Sequence, residues 1–145
     1  MKKVVRTFLK NNEWKFLFVK HKWRDYWSLP WWHIEWDEDI YKAIKREIKE
    51  ELNLKIKILW NKIWLDIENI KELATPVAVY KIEFENHKWK KLKKLEYIFL
   101  SEIKSWDIKI QEEEIDEYKF FSADEVLELE NTFLQVKEIL KKIAI

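Results

Sequence analysis

The sequence contains no glycine and no cysteine among its 145 residues, and only two prolines. Glycine normally supplies about 7% of a globular protein, so its absence is the most unusual property of this chain. The absence removes the residue that reaches positive φ without steric cost. It also excludes a phosphate-binding P-loop, because that motif requires glycines and ends in Gly-Lys-Ser or Gly-Lys-Thr.

The other absences narrow the class of protein. Without cysteine, the chain has no disulfide framework, no thiolate nucleophile and no zinc–thiolate cluster. No apolar run approaches the roughly 20 residues that a membrane-spanning helix needs, and the basic first residues carry no cleavage site of small residues. The formal net charge of +1 gives no global attraction to nucleic acid. We therefore expect one cytoplasmic domain over residues 1–145, with no membrane partner.

Tryptophan is as abundant as glycine is rare, with ten residues in the chain. Nine of them lie where turn-forming sequence favours glycine, namely Trp14, Trp23, Trp31, Trp32, Trp36, Trp60, Trp64, Trp89 and Trp106. We interpret these nine as replacements of glycine. They arose either by design or because a codon that the source reads as glycine was decoded as tryptophan; some bacteria reassign UGA in this way. The alternative is a tryptophan-rich chain whose indoles pack in the core.

Hydrophobic periodicity divides the chain into alternating strands and helices. Apolar or alternating runs predict strands over residues 4–9, 15–19, 26–30, 55–59, 63–67, 76–85, 95–103 and 117–121. One helix is predicted from about Asp39 to Leu52, and a last one covers residues 132–143. Between them, Ser122 and Glu125 form a capping box for a short helix. No linker divides the chain, so we predict an α/β fold in which a mixed β-sheet lies between helices.

The helix that begins near Asp39 crowds its acidic residues at the edge of its apolar face. At about 100° per residue, the apolar stripe consists of Tyr41, Ile44, Ile48 and Leu52, and the acidic arc consists of Glu47, Glu50 and Glu51. Carboxylates at i and i+4 repel each other by a few tenths of a kcal/mol. A hard divalent cation such as Mg²⁺ offsets that repulsion, because it prefers carboxylate oxygens. The alternative is a solvated helix rich in lysine and glutamate.

The sequence from Leu29 to Leu54 resembles the signature of the Nudix hydrolase family. That signature runs glycine, five residues, glutamate, seven residues, then Arg-Glu-aliphatic-any-Glu-Glu-any-glycine-aliphatic. The residues at its positions are Trp32, Glu38, Arg46, Glu47, Ile48, Glu50, Glu51, Asn53 and Leu54. Every charged member is therefore present, whereas tryptophan and asparagine replace the two glycines. Asparagine is the milder replacement, because it tolerates the left-handed conformation that ends a helix.

The resemblance implies a Nudix fold and a magnesium- or manganese-dependent pyrophosphohydrolase acting on a nucleoside diphosphate linked to another group. In that family the three helix glutamates, here Glu47, Glu50 and Glu51, bind metal and help to activate water. The arginine, here Arg46, holds the loop glutamate, here Glu38. A backbone carbonyl from the paired glycines, here Trp31, joins the metal shell. Family members draw a general base from a later loop, where the candidates are Glu113, Glu114 and Glu117, and we favour Glu114.

Two function classes remain open at this stage. The first is the hydrolase, whose substrate is a small nucleotide derivative or the 5′ end of a capped RNA, and the second is a nucleotide-binding module without catalysis. Having all three of Glu47, Glu50 and Glu51 favours the enzyme. The resemblance also allows a homodimer, because many relatives are dimers. Indoles at Trp31, Trp32 and Trp36 would obstruct a loop that brings backbone close to metal and phosphate, so glycine at these positions is expected to increase turnover.

Overall fold

The structure is a computed structural model that describes residues 1–35, 37–60 and 62–143. Its strands are β1 (Lys2–Lys10), β2 (Phe16–His21), β3 (Trp31–Ile34), β4 (Ile56–Leu59), β5 (Asp66–Ile67), β6 (Ile70–Lys71), β7 (Ala78–Glu85), β8 (Lys91–Ile103) and β9 (Ile115–Phe121). Its helices are α1 (Ile40–Leu52), α2 (Ala123–Glu128) and α3 (Leu134–Lys142). None of the helices in these ranges is long and apolar enough to cross a bilayer.

Seven of the strands form one mixed sheet. Its central order is β4-β8-β1-β2-β9, while β3 pairs with β1 and β7 pairs with β8. Strands β1 and β8 are parallel over their whole shared length, and the other pairs are antiparallel. Strands β5 and β6 form a separate hairpin. The predicted mixed sheet is confirmed.

Helices cover both faces of the sheet. Successive side chains of a strand point to opposite faces, so each strand contributes apolar residues to both. On one face, Val5 and Phe99 pack with the α1 residues Ile44 and Ile48. On the other face, the apolar residues that pack with α2 and α3 include Phe8, Phe18, Ile98, Val126, Val136 and Leu140. Both clusters are almost completely buried. The sheet is therefore sandwiched between helices, as predicted.

Three strand predictions differ from the structure. Residues 26–30 contribute only an isolated bridge between Val19 and Ser28, and the regular strand begins after them, with β3 at Trp31. Residues 63–67 contribute only the two-residue strand β5. Strand β8 begins at Lys91, earlier than predicted, because antiparallel pairing with β7 keeps its lysine-rich first residues extended.

Two hairpin turns have the same construction, and both contain a tryptophan in the left-handed region. Asn11 Oδ1 accepts hydrogen bonds from the amides of Glu13 and Lys15 at 2.9 and 3.0 Å. Asn86 Oδ1 does the same for Lys88 and Lys90 at 2.9 and 3.0 Å. The fourth residue of each turn has φ of 57° and 61°, and these residues are Trp14 and Trp89. A hairpin loop of this kind places glycine at that position, because a Cβ is strained there.

Five of the nine turn tryptophans have positive φ, and the group comprises Trp14, Trp23, Trp60, Trp64 and Trp89. Trp23 is 97% exposed, and Trp64 and Trp89 are each 82% exposed. Burial therefore does not offset the backbone strain at these three sites, which supports the interpretation that they replace glycine. The alternative interpretation, in which indoles pack in the core, describes Trp27 and Trp32, which are both buried.

The turn prediction was wrong for Trp31 and Trp32, which lie in strand β3, where pairing with β1 keeps the backbone extended. Trp106 lies in the loop between β8 and β9, but it does not have positive φ. Trp36 lies outside the described residues.

Candidate functional site

Helix α1 is fixed at both ends by the residues that the sequence analysis singled out. At its start, Asp39 Oδ1 accepts hydrogen bonds from the amides of Tyr41 and Lys42, at 2.9 and 3.2 Å. At its end, Asn53 adopts the left-handed conformation, with φ 57° and ψ 36°, and its amide donates to the carbonyl of Lys49. Asparagine thus performs the capping function of glycine at this position.

The three glutamates of α1 differ in burial. The apolar stripe packs against the sheet, with Ile44, Ile48 and Leu52 buried. Glu51 lies beside it and is only 9% exposed, Glu47 is half-buried and Glu50 is exposed. The helix therefore presents its carboxylates in a gradient from the core edge to solvent.

Glu51 is the most perturbed carboxylate of this group. Burial raises the pKa of Glu51 from 4.5 to about 7, because it disfavours the charged form. The indole N–H of Trp32 acts in the opposite direction, while the negative charges of Glu47, Glu114 and Glu50 raise the pKa further. Glu51 Oε2 and Trp32 Nε1 are both buried, and within the described residues neither has a partner of standard hydrogen-bond geometry. One buried carboxylate oxygen is thus left without a hydrogen bond of standard geometry.

Arg46 connects the helix to the preceding loop. Its Nη2 atom lies 3.3 Å from Glu38 Oε2 and 3.1 Å from Glu47 Oε1, and its Nε atom lies 4.0 Å from Glu50 Oε1. The other carboxylate oxygen of Glu38 accepts a hydrogen bond from the amide of Glu35 at 3.0 Å. Glu38 therefore bridges the loop backbone and the arginine.

Burial is also the main influence on Glu47. It raises the pKa of this carboxyl, and the Arg46 charge opposes that rise.

A loop before β9 is attached to the end of α1 by backbone hydrogen bonds. The amide of Lys109 donates to the carbonyl of Leu52 at 3.0 Å, and the amide of Gln111 donates to the carbonyl of Glu51 at 2.8 Å. This attachment brings Glu114 near enough for its charge to raise the pKa of Glu51. Of the other two candidates, Glu117 forms an ion pair with Lys20 at 3.5 Å. Of the three candidates, Glu114 is therefore the one whose charge is among the main influences on Glu51.

The two tryptophans of strand β3 lie on opposite faces of the sheet. Trp32 packs in the core cluster on the α1 face, whereas Trp31 lies on the opposite face, with its ring 5.5 Å from the Arg6 guanidinium carbon. Strand β3 pairs with β1 alone within the described ranges.

A buried polar cluster that sequence analysis missed supports this strand. Arg6 Nε and Nη2 donate to the two carboxylate oxygens of Glu96 at 3.1 and 3.3 Å, and the Tyr80 hydroxyl donates to Glu96 Oε1. Burial acts to raise the pKa of Glu96, but the hydrogen bond and charge of Arg6 outweigh it and lower the pKa. In the sequence, each of these residues is visible only as a charge inside an apolar strand. Their pairing is not, because 90 positions separate Arg6 and Glu96.

The acidic residues suit a divalent metal in their chemistry. Their oxygens are the hard donors that Mg²⁺ prefers, and the unpaired buried oxygen of Glu51 is a group that a cation would satisfy. Across residues 1–35, 37–60 and 62–143, however, no three His, Asp or Glu side chains converge closely enough to hold an ion. Metal binding would therefore require side-chain movement, and exposed Glu50 has the freedom to make it.

A mixed sheet between helices, with carboxylates on the helix that follows an edge strand, defines an α/β domain of the Nudix type. A sequence model described as the NUDIX domain matches residues 2–143. The chain therefore belongs to the Nudix family, whose hydrolases generally use divalent metals. No curated protein sequence matches this chain.

Solved structures agree with this fold. One similar structure is a NUDIX-family hydrolase from Clostridium perfringens, with a TM-score of 0.72, 19% identity and coverage of 97% of both chains. Another is the MutT protein from Methanosarcina mazei Go1, with a TM-score of 0.72, 17% identity and coverage of 99% of this chain and 92% of the other. A third is an Ap4A hydrolase from C. elegans, with a TM-score of 0.69, 16% identity and coverage of 99% and 96%.

Proposed function

We propose that this chain, a single Nudix domain, hydrolyses the diphosphate linkage in a nucleoside diphosphate joined to another group. The observation that carries the proposal is the buried carboxylate of Glu51, whose Oε2 has no hydrogen bond of standard geometry and whose pKa is raised by burial and by the charges of Glu47 and Glu114. Perturbed carboxylates of this kind are characteristic of functional sites, because isolated buried charge is unfavourable unless a ligand or cation compensates it. The similar structures include a NUDIX-family hydrolase and an Ap4A hydrolase, and this similarity supports the same reaction class.

Glu47, Glu50 and Glu51 are the residues that would hold Mg²⁺ or Mn²⁺, together with the backbone carbonyl of Trp31. The metal, when bound, neutralises charge on the phosphoryl oxygens and lowers the pKa of water. In this proposal Arg46 positions Glu38 and the loop.

Glu114 is the proposed general base, which accepts the proton of the attacking water. Its backbone is attached close to the helix end, because Gln111 of the same loop donates to the carbonyl of Glu51.

The test is hydrolysis of a nucleotide panel by the purified full chain. The panel contains a nucleotide sugar, a dinucleoside polyphosphate, an oxidised nucleoside triphosphate and an RNA with a 5′ cap. We expect at least one compound to be cleaved with Mg²⁺ or Mn²⁺ and none to be cleaved in EDTA. The test variant is Glu50→Gln, which keeps the shape of an exposed side chain, removes one proposed ligand and is expected to lose activity. Metal-independent cleavage, or full activity of this variant, would contradict the proposal.

The second candidate is a nucleotide-binding module without catalysis. One observation favours it, because the Trp32 indole packs on the α1 face close to Glu51, where it restricts approach to the carboxylate. Tight binding of a panel member without any metal-dependent cleavage would establish this second function.

Arg46→Gln is predicted to lower kcat by about tenfold, as is typical when a residue that orients a metal ligand is removed. Stability should hardly change, because the Arg46 side chain is 55% exposed and exposed ion pairs contribute little. Hydrogen exchange of the Glu35 amide should accelerate, since its acceptor Glu38 loses Arg46. Lys42→Gln on the same helix is the control. Unchanged exchange at Glu35 together with unchanged kcat would show that Arg46 does not position the loop.

A further inference from the structure

Strand β7 lies at an edge of the sheet and pairs on one side only. Its residues pair with β8 in one continuous register, and no other strand among the described residues lies beside it. Within the same part of the chain, its backbone makes no hydrogen bond to any segment other than β8. Every residue of β7 is at least partly exposed, and Val79 is 51% exposed. The outer amides and carbonyls of β7 are therefore accessible to a further strand.

Alternation along β7 separates its apolar side chains from its charged ones, since successive residues of a strand point to opposite faces. The apolar face consists of Ala78, Tyr80, Ile82 and Phe84. The other face consists of Val79, Lys81, Glu83 and Glu85. Edge strands are commonly protected against further pairing by proline, by a bulge or by charge. Strand β7 has no proline and no register shift, so charge is its protection, and that charge has both signs.

Opposite charges two positions apart face each other when an antiparallel strand pairs with its own copy. In such a twofold pair one central residue faces itself, and residues equally far to either side of it face each other. With Ile82 at the centre, Lys81 of each copy lies opposite Glu83 of the other. Tyr80 then lies opposite Phe84. Opposite charges and aromatic pairs at directly facing positions both stabilise antiparallel strands.

The adjacent symmetric registers are less favourable. They are centred on Lys81 or on Glu83, so that one of these residues faces its own copy, and like charges at directly facing positions destabilise a sheet. In the register centred on Ile82, by contrast, the charges continue a row that already exists. Glu83 lies 4.0 Å from Lys93 of β8, so Lys81 of the second copy would lie on the other side of Glu83. The charges that protect this edge against other strands therefore favour one register with a second copy.

We propose that β7 is a self-association surface, on which a second copy of this chain pairs antiparallel through its own β7, with Ile82 at the twofold axis. The two seven-stranded sheets then form one continuous sheet. A pair of short strands buries less than the roughly 800 Å² per partner of a standard interface. We therefore expect a dimer with a Kd on the order of 10 µM. This inference is independent of the proposed hydrolysis, since it concerns association alone.

Sedimentation equilibrium of the full chain tests the pairing through charge reversal. Lys81→Glu places like charges at both symmetric positions of the dimer, and Glu83→Lys does the same with the other sign. Each variant is expected to raise the Kd of the dimer by about tenfold or more. The double variant Lys81→Glu/Glu83→Lys exchanges the two charges and should restore most of the affinity. An equimolar mixture of the two single variants should form heterodimers, because every facing pair of charges is then of opposite sign.

Lys141→Glu is the matched control for the charge reversal. Lys141 forms an ion pair with Glu138 on α3 at 3.2 Å, and its side chain is about as exposed as that of Lys81. The control should associate like the wild type. Equal Kd values for Lys81→Glu and the control, or a mixture without heterodimers, would overturn the inference. A wild type that stays monomeric up to about 500 µM would also overturn it, and would leave this edge to a strand of another protein.

The absence of cysteine from the chain allows the register itself to be measured. Ile82→Cys places the two thiols directly opposite each other, where Cα atoms about 4.5–5.5 Å apart suit a disulfide. The two thiols of Val79→Cys would lie about 20 Å apart, because each is three residues from the centre. Mild oxidation should therefore cross-link Ile82→Cys but not Val79→Cys. No cross-linking of Ile82→Cys, or equal cross-linking of both variants, would overturn the proposed register.

Discussion

Replacing Glu51 by glutamine is expected to stabilise the metal-free protein at about pH 8 and to lower its hydrolytic activity by about 1000-fold. Glutamine has the shape of glutamate but carries no charge. At that pH the wild type must keep an ionised Glu51 in a position that is only 9% exposed. The same charge is required if Glu51 holds a metal ion, so stability and activity should change in opposite directions.

The size of the stability change follows from the pKa of Glu51. Folding raises this pKa from 4.5 to about 7, so the folded state binds the proton more tightly than the unfolded state. The resulting stabilisation is fully present below about pH 4.5 and is lost as the pH rises through about 7. Above that range, an ionised Glu51 costs the metal-free protein about 3 kcal/mol relative to a neutral group.

Thermal unfolding in EDTA at about pH 4 and about pH 8 measures this change. Glu51→Gln should unfold at a higher temperature than wild type at the alkaline pH, and the two should agree at the acidic pH. Glu50→Gln is the matched control, because Glu50 is exposed on the same helix. Mg²⁺ should stabilise the wild type more than Glu51→Gln, since a ligand stabilises the state that binds it. A constant difference between wild type and Glu51→Gln at both pH values would contradict the assignment.

The activity loss tests a different property. Removing a ligand that helps to neutralise transition-state charge should cost several kcal/mol, and about 4 kcal/mol corresponds to 1000-fold. Steady-state kcat at saturating Mg²⁺ measures it. Retention of wild-type kcat by Glu51→Gln would exclude Glu51 from the metal site, whatever the stability result.

Local chemistry explains why the helix and its ends could be predicted. Asp39 caps α1, Asn53 ends it in the left-handed conformation, and Ser122 forms the predicted capping box with Glu125. Each of these interactions joins residues fewer than five positions apart, so the sequence contains both partners in one window. The apolar stripe of α1 was equally predictable, because its periodicity follows from helix geometry alone.

Contacts between distant segments could not be predicted in the same way. The approach of Glu114 to Glu51 depends on backbone hydrogen bonds from Lys109 and Gln111 to the end of α1, and main-chain groups leave no signature in the sequence. The pairing of Arg6 with Glu96 depends on the parallel register of β1 and β8. Trp31 and Trp32 were assigned to a turn because neither residue reveals that β1 would pair with the segment.

The tryptophans at positive φ lead to the second large prediction. The variant Trp23→Gly/Trp64→Gly/Trp89→Gly is expected to raise the melting temperature by roughly 10 °C, which corresponds to about 3 kcal/mol in a domain of this size. The three residues have φ of 66°, 62° and 61°. Each left-handed residue with a Cβ costs about 1–2 kcal/mol, and part of that gain is offset because glycine makes the unfolded chain more flexible.

Exposure makes these three positions suitable for the test. Their indoles are 82–97% exposed, so removing them sacrifices little packing. Trp14 is left unchanged, because its ring lies 4.2 Å from the Lys10 ammonium and the loss of that contact would complicate the result. The sites lie in separate turns, and effects at distant sites usually add.

Two single variants serve as controls. Trp106→Gly removes an indole that is 58% exposed and does not have positive φ, so it should be neutral or slightly destabilising. Trp27→Gly removes a buried ring that packs edge-on against Phe121 at 5.3 Å, so it should destabilise by about 3 kcal/mol or more. A melting temperature in the triple variant at or below that of the wild type would show that these turns do not require glycine. The tryptophans would then be native to the turns, and decoding of a glycine codon as tryptophan would lose its physical support.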